Sequence, residues 1–271
     1  MQNIERGKNS SLGFDRAVSF YDKSRAIPDW VASAVTDSVI EFGKLTPRSR
    51  VLEIGIGTGR IALPLLKRGI PICGIDLSLA MMAELQTKIA GRAVRLALAQ
   101  ANANALPFPE ATFDCAYAVH VYHLVAHWQN AVREAWRTVK RGGRFLVTYH
   151  KRDPQSPNAK LRRRLFELAK EHGIDARRPG SQSYDELRNE LDKLTLTQLV
   201  EIARWVERTV TVAQILDEIQ QQLFSDTWTI PEDVLPQLLP ALRDWAKKEF
   251  GRLDYAVREE EEFAWMVLRK E

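Results

Sequence analysis

Short apolar runs alternate along the chain with stretches in which apolar residues recur at helical spacing. From Ser49 to Tyr149 this alternation predicts strands and helices in turn, the pattern of a parallel sheet covered on both faces. Val51-Leu52-Glu53-Ile54 is the first strand and runs into a glycine turn, Gly55 to Gly59. The helix behind it reaches about Arg68, with Ile61, Leu65 and Leu66 on its apolar face. Pro64 must lie early in that helix, where a missing N–H costs least, and Gly69 ends it. Ile70 to Asp76 reads as the second strand, and Ser78 as the N-cap of a helix carrying Leu79, Met82, Leu85 and Ile89. Val94 to Leu98 and Phe113 to Val121 are the third and fourth strands. A helix from Trp128 to Val139 follows, closed by Gly142-Gly143, and Arg144 to Tyr149 is the fifth strand.

Beyond Tyr149 the alternation breaks. Lys160 to His172 reads as a highly charged helix, and Ser183 to Glu186 and Thr211 to Gln214 have the form of capping boxes. Leu199 to Val206 reads as a strand, Pro231 opens a helix that stops at Gly251, and Phe263 to Leu268 is a last strand behind the acidic run Glu259 to Glu262. The elements predict an α/β fold: a Rossmann-like three-layer α/β/α sandwich with a mostly parallel, seven-stranded sheet and helical insertions. Residues 1–46 form a helical segment ahead of a core over 47–150, and 151–271 complete the sheet and insert helices that would roof a pocket over it.

The glycine turn carries the first chemistry. Gly55 and Gly57 allow the backbone to pass close to a ligand where a Cβ would collide. In a parallel sheet such a turn lies at the carboxyl end of the first strand, beside the crevice where strand order reverses. Asp76 ends the second strand about 20 residues later, where a carboxylate can accept both hydroxyls of a ribose. Turn and acid together indicate an adenosine-containing cofactor, either NAD or S-adenosylmethionine (SAM). A dinucleotide fingerprint places its third glycine three residues after the second. Here that position is Arg60 and the third glycine comes early, at Gly59, which favours SAM.

Composition changes this picture little. Of 271 residues, 45% are hydrophobic and 27% charged, which is ordinary for a globular chain. No run approaches the roughly 20 apolar residues needed to cross a bilayer, and Met1 to Gly13 lack the apolar run of a signal peptide, so a cytoplasmic protein with no membrane span is expected. Cys73 and Cys115 fall in apolar strands with no partner at metal-ligand spacing, so neither a disulfide nor a metal site is expected. Net charge is +4, with basic residues bunched between Lys151 and Arg178. That bunching reads first as a solvated helix face and second as a rim that attracts an acidic substrate.

The motifs Val51 to Arg60, Gly74 to Ser78 with Met81, Leu106-Pro107-Phe108 leading to Phe113-Asp114, and Lys140 to Phe145 resemble, in order and spacing, the class I SAM-dependent methyltransferases. Within them the chain is similar to the ubiquinone/menaquinone-biosynthesis methyltransferase group (methyltransferase type 11 domain). The resemblance implies SAM as cofactor, with S-adenosylhomocysteine as product. It implies that Gly55 and Gly57 approach the methionine part, with Glu53, Thr58 and Arg60 in the same motif, and that Asp76 binds the ribose. Leu77 and Met81 would pack on the adenine, and Ala118 and Val119 would lie beside the cofactor. Asn102 and Ala103 fall where the family usually has an acidic residue and a small one; an amide can still accept from the adenine amino group. The stretch Phe14 to Arg25 would fold over the cofactor as a lid, bringing Tyr21 near the sulfonium.

His120 and His123, where the fourth strand ends, are the candidate catalytic residues, as substrate contacts or general bases, or else hydrogen-bonded structural histidines. His150 is a weaker candidate, and His127 and His172 read as helix-surface residues. The expected activity is methyl transfer to a small molecule by in-line displacement. The alternatives are an RNA (tRNA) methyltransferase using the basic region and a non-catalytic SAM-binding protein, with nucleic acid not favoured because no RNA-binding module is recognisable. An NAD-dependent oxidoreductase is the most distant reading.

Overall fold

The computed structural model describes residues 11, 13–148 and 153–271. Their contacts divide into two compact units, Met1–His150 with Pro179–Ala203 and Glu262–Glu271, and Lys151–Arg178 with Arg204–Glu261.

In the first unit, α1 (Tyr21–Ser24) and α2 (Asp29–Gly43) precede β1 (Val51–Ile54), α3 (Ala62–Lys67), β2 (Ile72–Asp76), α4 (Leu79–Ile89) and β3 (Leu96–Gln100). Next come β4 (Phe113–Val119), α5 (Trp128–Thr138) and β5 (Val139–Thr148). Ser78 caps α4 as expected, its hydroxyl accepting from the Met81 N–H at 3.0 Å. Further along lie α6 (Pro157–Glu171), α7 (Tyr184–Asp192), β6 (Gln198–Thr211), α8 (Val212–Gln220), α9 (Leu235–Phe250) and β7 (Ala256–Arg269). The seven-stranded sheet has the order β3-β2-β1-β4-β5-β7-β6. The pairings from β3 through β5 are parallel and β5–β7 is antiparallel. Strand order reverses between β1 and β4, so the crevice open to a ligand lies beyond their carboxyl ends.

Side-chain alternation assigns the two faces of this sheet. Ala116 and Ala118 of β4 join Leu52 and Ile54 of β1 in one core with Ala131, Val132 and Ala135 of α5. The intervening residues point the other way: Tyr117 sits edge-on to Trp265, whose indole N–H donates to Ser38 of α2 at 2.8 Å. Glu53 shares that second face, because its register partner in β4 is Tyr117.

Several boundaries differ from the sequence reading. β3 lies two residues later, at Leu96–Gln100. Gly142-Gly143 do not simply close α5: β5 begins at Val139, and its register on β4 jumps from Phe113↔Val139 to Cys115↔Arg144, so residues 140–143 bulge out. α9 begins at Leu235, since Pro231 opens only a turn whose carbonyl accepts from Val234 and Leu235. β7 extends back to Ala256 and absorbs the acidic run, because in the second unit Glu259 pairs with Arg208 and accepts from Asn158. Both bonds of the Thr211–Gln214 capping box are present. At α7 the Ser183 hydroxyl caps Glu186, but the Glu186 carboxylate accepts from Gln182 instead of Ser183.

Part of the basic stretch is engaged by carboxylates, while Arg163 and Lys170 are exposed. Arg162 is buried, bonded to Asp226 and, at 2.5 Å, to Asn158 Oδ1. Arg164 pairs with Glu167 and Glu171, and Arg177 with Asp175. Around these polar links Leu161, Leu165, Ile215, Leu216, Leu238 and Leu242 form the second unit's own core.

Candidate functional site

The glycine turn is built from backbone that only glycine adopts readily: φ is +72° at Gly55, +53° at Gly57 and +80° at Gly59. The N–H groups of Gly55 and Ile56 both donate to the Ile75 carbonyl at 2.9 Å, fastening the turn to β2. The Gly57 N–H donates to Asp76 Oδ2 at 2.8 Å, and the Ser78 N–H donates to Oδ1 at 2.9 Å. Turn and acid, separate signals in the sequence, are thus one hydrogen-bonded unit. Burial pushes the Asp76 carboxyl up, while the N–H groups of Ser78, Gly57 and Leu77 hold it down. A carboxylate offers about four acceptor positions, so with these three N–H groups this one can still accept from a ligand hydroxyl. Gly59 serves packing: a Cβ there would meet Leu85 of α4 at 2.3 Å. The early third glycine therefore does the helix-packing work that a dinucleotide fingerprint gives to a later one.

This turn and the end of β4 frame an open cleft. Of the predicted residues, Tyr21, Gly55, Gly57, Asp76, Leu77, Met81, Asn102, Ala103, Val119 and His120 line it. Ser11, Phe14, Ile54, Ile75, Ala101, Val121, Leu124 and Val125 also line it and were not singled out from the sequence. The apolar ones among them show the ordinary periodicity of strand and loop, which carries no site signal.

Five predicted residues lie outside this lining, each for a local reason. Glu53 points to the opposite face of the sheet, where the Tyr117 hydroxyl donates to its Oε2 at 2.8 Å and burial raises its pKa from 4.5 to about 8. Ala118 is fully buried between the sheet and α5. Thr58 and Arg60 turn toward the N-terminal segment: the Thr58 hydroxyl donates to Asp22 at 2.6 Å and the Arg60 guanidinium donates to the Arg25 carbonyl at 3.1 Å. His123 has its carbonyl accepting from the Gly180 N–H at 3.2 Å.

Asn102 lines the cleft, but its Oδ1 accepts from the Asn104 N–H at 2.9 Å and the Asn104 side-chain amide at 3.3 Å. The oxygen expected to receive an adenine amino group is thus already engaged. Met81 is buried and Leu77 exposed, so they meet the cleft from below and from its edge.

Above the cleft runs the N-terminal segment. Phe14 and Tyr21 both line the cavity and meet edge to face with ring centres 5.8 Å apart. Lys88 of α4 bridges Asp22 and, at 3.1 Å, the Thr58 carbonyl, while the Ser78 hydroxyl donates to Asp15. The Ala126 N–H donates to the Ser11 hydroxyl at 3.2 Å. These tethers join the segment to the glycine turn, to α4 and to the loop after β4. The contacts of Asp22 and Lys88 with Thr58 had no recognisable spacing in the sequence, since these residues are distant in the chain.

At the other end, His120 lies just past β4 with φ +56°, a left-handed conformation uncommon for a side-chain-bearing residue. Its Nε2 lies 3.4 Å from the Thr148 hydroxyl, and its ring meets Phe263 edge-on at 6.4 Å. His127 occupies the N-cap of α5, also left-handed, and His172 the C-cap of α6, with Nδ1 2.9 Å from the Leu168 carbonyl. His150 lies outside the described residues. Among the described residues, no three His, Cys, Asp or Glu side chains gather as a metal site, and no helix is long and apolar enough to cross a membrane.

Residues 52–147 match the family model described as a methyltransferase domain. The chain is 32% identical over 118 residues to a phosphatidylethanolamine N-methyltransferase of Cereibacter sphaeroides, covering 43% of this chain and 58% of that protein. It is 33% identical over 100 residues to a demethylmenaquinone methyltransferase of Thermus thermophilus, covering 36% and 46%. The chain thus spans about half the length of these curated relatives. The crystal structure of the Bacillus subtilis YcgJ protein superposes with a TM-score of 0.58 at 19% identity, over 88% of this chain and 99% of that one. Residues 52–147 are thus similar to a methyltransferase domain, and the mixed α/β fold is shared with the YcgJ structure.

Proposed function

We propose that this protein is a SAM-dependent methyltransferase acting on a small molecule. The observation that carries the reading is the hydrogen bond that makes Asp76 and the glycine turn one unit, at the strand-order switch and under an enclosing aromatic pair. The donor set fits the cofactor: a carboxylate with remaining acceptor capacity for a ribose hydroxyl, a glycine turn along the cleft at Gly55 and Gly57 for the methionine part, and Leu77, Met81 and Ala103 as apolar surface for the adenine. SAM supplies a methyl carbon on a positively charged sulfur, which leaves as a neutral thioether when the methyl is displaced in line. The chain's task is to align the acceptor and keep water out. Phe14 and Tyr21 close the upper side, and the Tyr21 ring suits a sulfonium.

The small-molecule reading is supported by the cleft, whose described lining is largely apolar and holds no lysine or arginine. The two relatives differ in acceptor, one named for a phospholipid amine and the other for demethylmenaquinone, so the acceptor must be argued from this cleft. The test is calorimetric titration of wild-type and Asp76→Ala protein with S-adenosylhomocysteine. Wild type is expected to bind saturably, and the variant at least about tenfold more weakly, as the loss of a charged hydrogen-bond acceptor requires. Equal affinity would remove Asp76 from the site.

A further inference from the structure

The cleft runs across the carboxyl ends of the parallel strands. Val119 lines it from the end of β4, Gly55 and Gly57 from the turn after β1, Asp76 from the end of β2 and Asn102 from just past β3. Those strands neighbour one another in that order. With the ribose on Asp76 and the methionine part along the glycine turn, the β3 end is left for the base. Backbone ties that end to the ribose end, since the Ala101 N–H donates to the Asp76 carbonyl at 3.1 Å. Of the described lining residues there, Ala101, Asn102 and Ala103, Asn102 is the one with a polar side chain, and it is exposed. Which end of its amide meets a ligand is settled by groups whose roles are fixed. A backbone N–H can only donate, so the Asn102 atom that the Asn104 N–H meets at 2.9 Å is the oxygen. A backbone carbonyl can only accept, so the Asn104 atom 2.7 Å from the Ala126 carbonyl is the side-chain nitrogen, which also donates to Asn102 Oδ1 at 3.3 Å. Two N–H groups thus occupy the two lone pairs of that oxygen. No other hydrogen bond engages the Asn102 side chain among the described residues, so Nδ2 is the end left to a ligand.

We propose that Asn102 reads the cofactor's base as a hydrogen-bond donor, through Nδ2, and that the site therefore takes a 6-oxopurine in place of adenine with little loss. This rests on the SAM reading above and deepens it to the selectivity for the base. A donor finds an acceptor on either ring, N1 in adenine or the neighbouring O6 in hypoxanthine. An acceptor at the same place would favour the adenine amino group and repel a 6-oxo oxygen. Asn102 is thus a specificity-determining residue, and the hold of Asn104 on its oxygen sets the sign of that specificity.

Asn102→Asp reverses that sign while keeping the turn, because one carboxylate oxygen can still accept from the Asn104 N–H and the other then faces the base. Two ligands are titrated calorimetrically into wild type and variant: S-adenosylhomocysteine, and S-inosylhomocysteine, which carries oxygen in place of the adenine amino group. Wild type is expected to bind the two within about tenfold of each other, the span of a single hydrogen bond. The Asp variant should keep S-adenosylhomocysteine and discriminate against S-inosylhomocysteine at least about tenfold more than wild type does, since a carboxylate would face the 6-oxo oxygen. Asn102→Ala, which removes the donor, should weaken both ligands alike by about three- to tenfold. A wild type that prefers S-adenosylhomocysteine by more than this margin would overturn the inference, because Asn102 would then be accepting. So would a preference unchanged in the Asp variant, or affinities unchanged in the Ala variant, because Asn102 would then not touch the base. Failure of wild type to bind either ligand would instead sink the cofactor reading beneath it.

Discussion

Replacing Glu53 by glutamine removes one proton-binding group from beneath the glycine turn while keeping the side chain's shape. In the native protein the Glu53 carboxyl is buried, accepts the Tyr117 hydroxyl at 2.8 Å, and titrates near 8 against 4.5 for an ordinary glutamate. Burial is the main cause; the Tyr117 bond and the Arg60 charge pull the other way, and Asp76 adds to the rise. Between those two pH values the native chain holds a proton that the unfolded chain has released. Stability therefore falls as pH rises through this window. At 1.36 kcal/mol per pH unit, the loss attributable to Glu53 approaches about 5 kcal/mol by the upper end. Glutamine is neutral throughout and its amide oxygen can still accept from Tyr117, so Glu53→Gln should flatten this slope. The variant should be close to wild type near pH 5 and more stable by a few kcal/mol near pH 8. Urea unfolding midpoints of both proteins across that range are the assay. Parallel pH profiles would refute the account of a neutral, buried Glu53, as would a variant less stable at the alkaline end.

Other outcomes follow from individual contacts. Asp22→Ala removes the acceptor shared by Thr58 and Lys88 and should speed S-adenosylhomocysteine dissociation several-fold in stopped flow; an unchanged off-rate would mean the N-terminal segment does not gate exchange. Asp226→Ala leaves the buried Arg162 without its carboxylate and should cost about 3–5 kcal/mol by urea unfolding, a penalty the Asp226→Ala/Arg162→Met pair should largely relieve. Gly59→Ala sets a Cβ into Leu85 at left-handed φ and should lower the melting temperature by several degrees, whereas Gly69→Ala, left-handed but meeting nothing, should cost less.

The core was legible because its signals are local. Strand, glycine turn and capped helix recur in the order of the sheet, and Asp76 falls at the end of β2 where the spacing placed it. What escaped were contacts set by side-chain direction and by chain-distant partners. Glu53 belongs to the glycine motif by sequence, but the period-two alternation of β1 turns it to the far face. Thr58 and Arg60 also belong to the motif, and whether they meet a ligand or Asp22 and Arg25 depends on where a segment more than 30 residues away comes to rest. Asn102 stands at the expected place with its oxygen engaged by Asn104, a turn interaction that residue identity alone does not reveal. The ends of β6 and β7 were underestimated because both strands continue through charged residues, among them Arg208 and Glu259, which pair with each other.

The central claim is that the cleft joining Asp76 to the glycine turn is a SAM site. Calorimetric titration of the purified protein with SAM, and separately with NAD, tests it most directly. The account predicts saturable binding of SAM at one site per chain and no heat beyond dilution with NAD. Binding of NAD without SAM, or of neither, would contradict it.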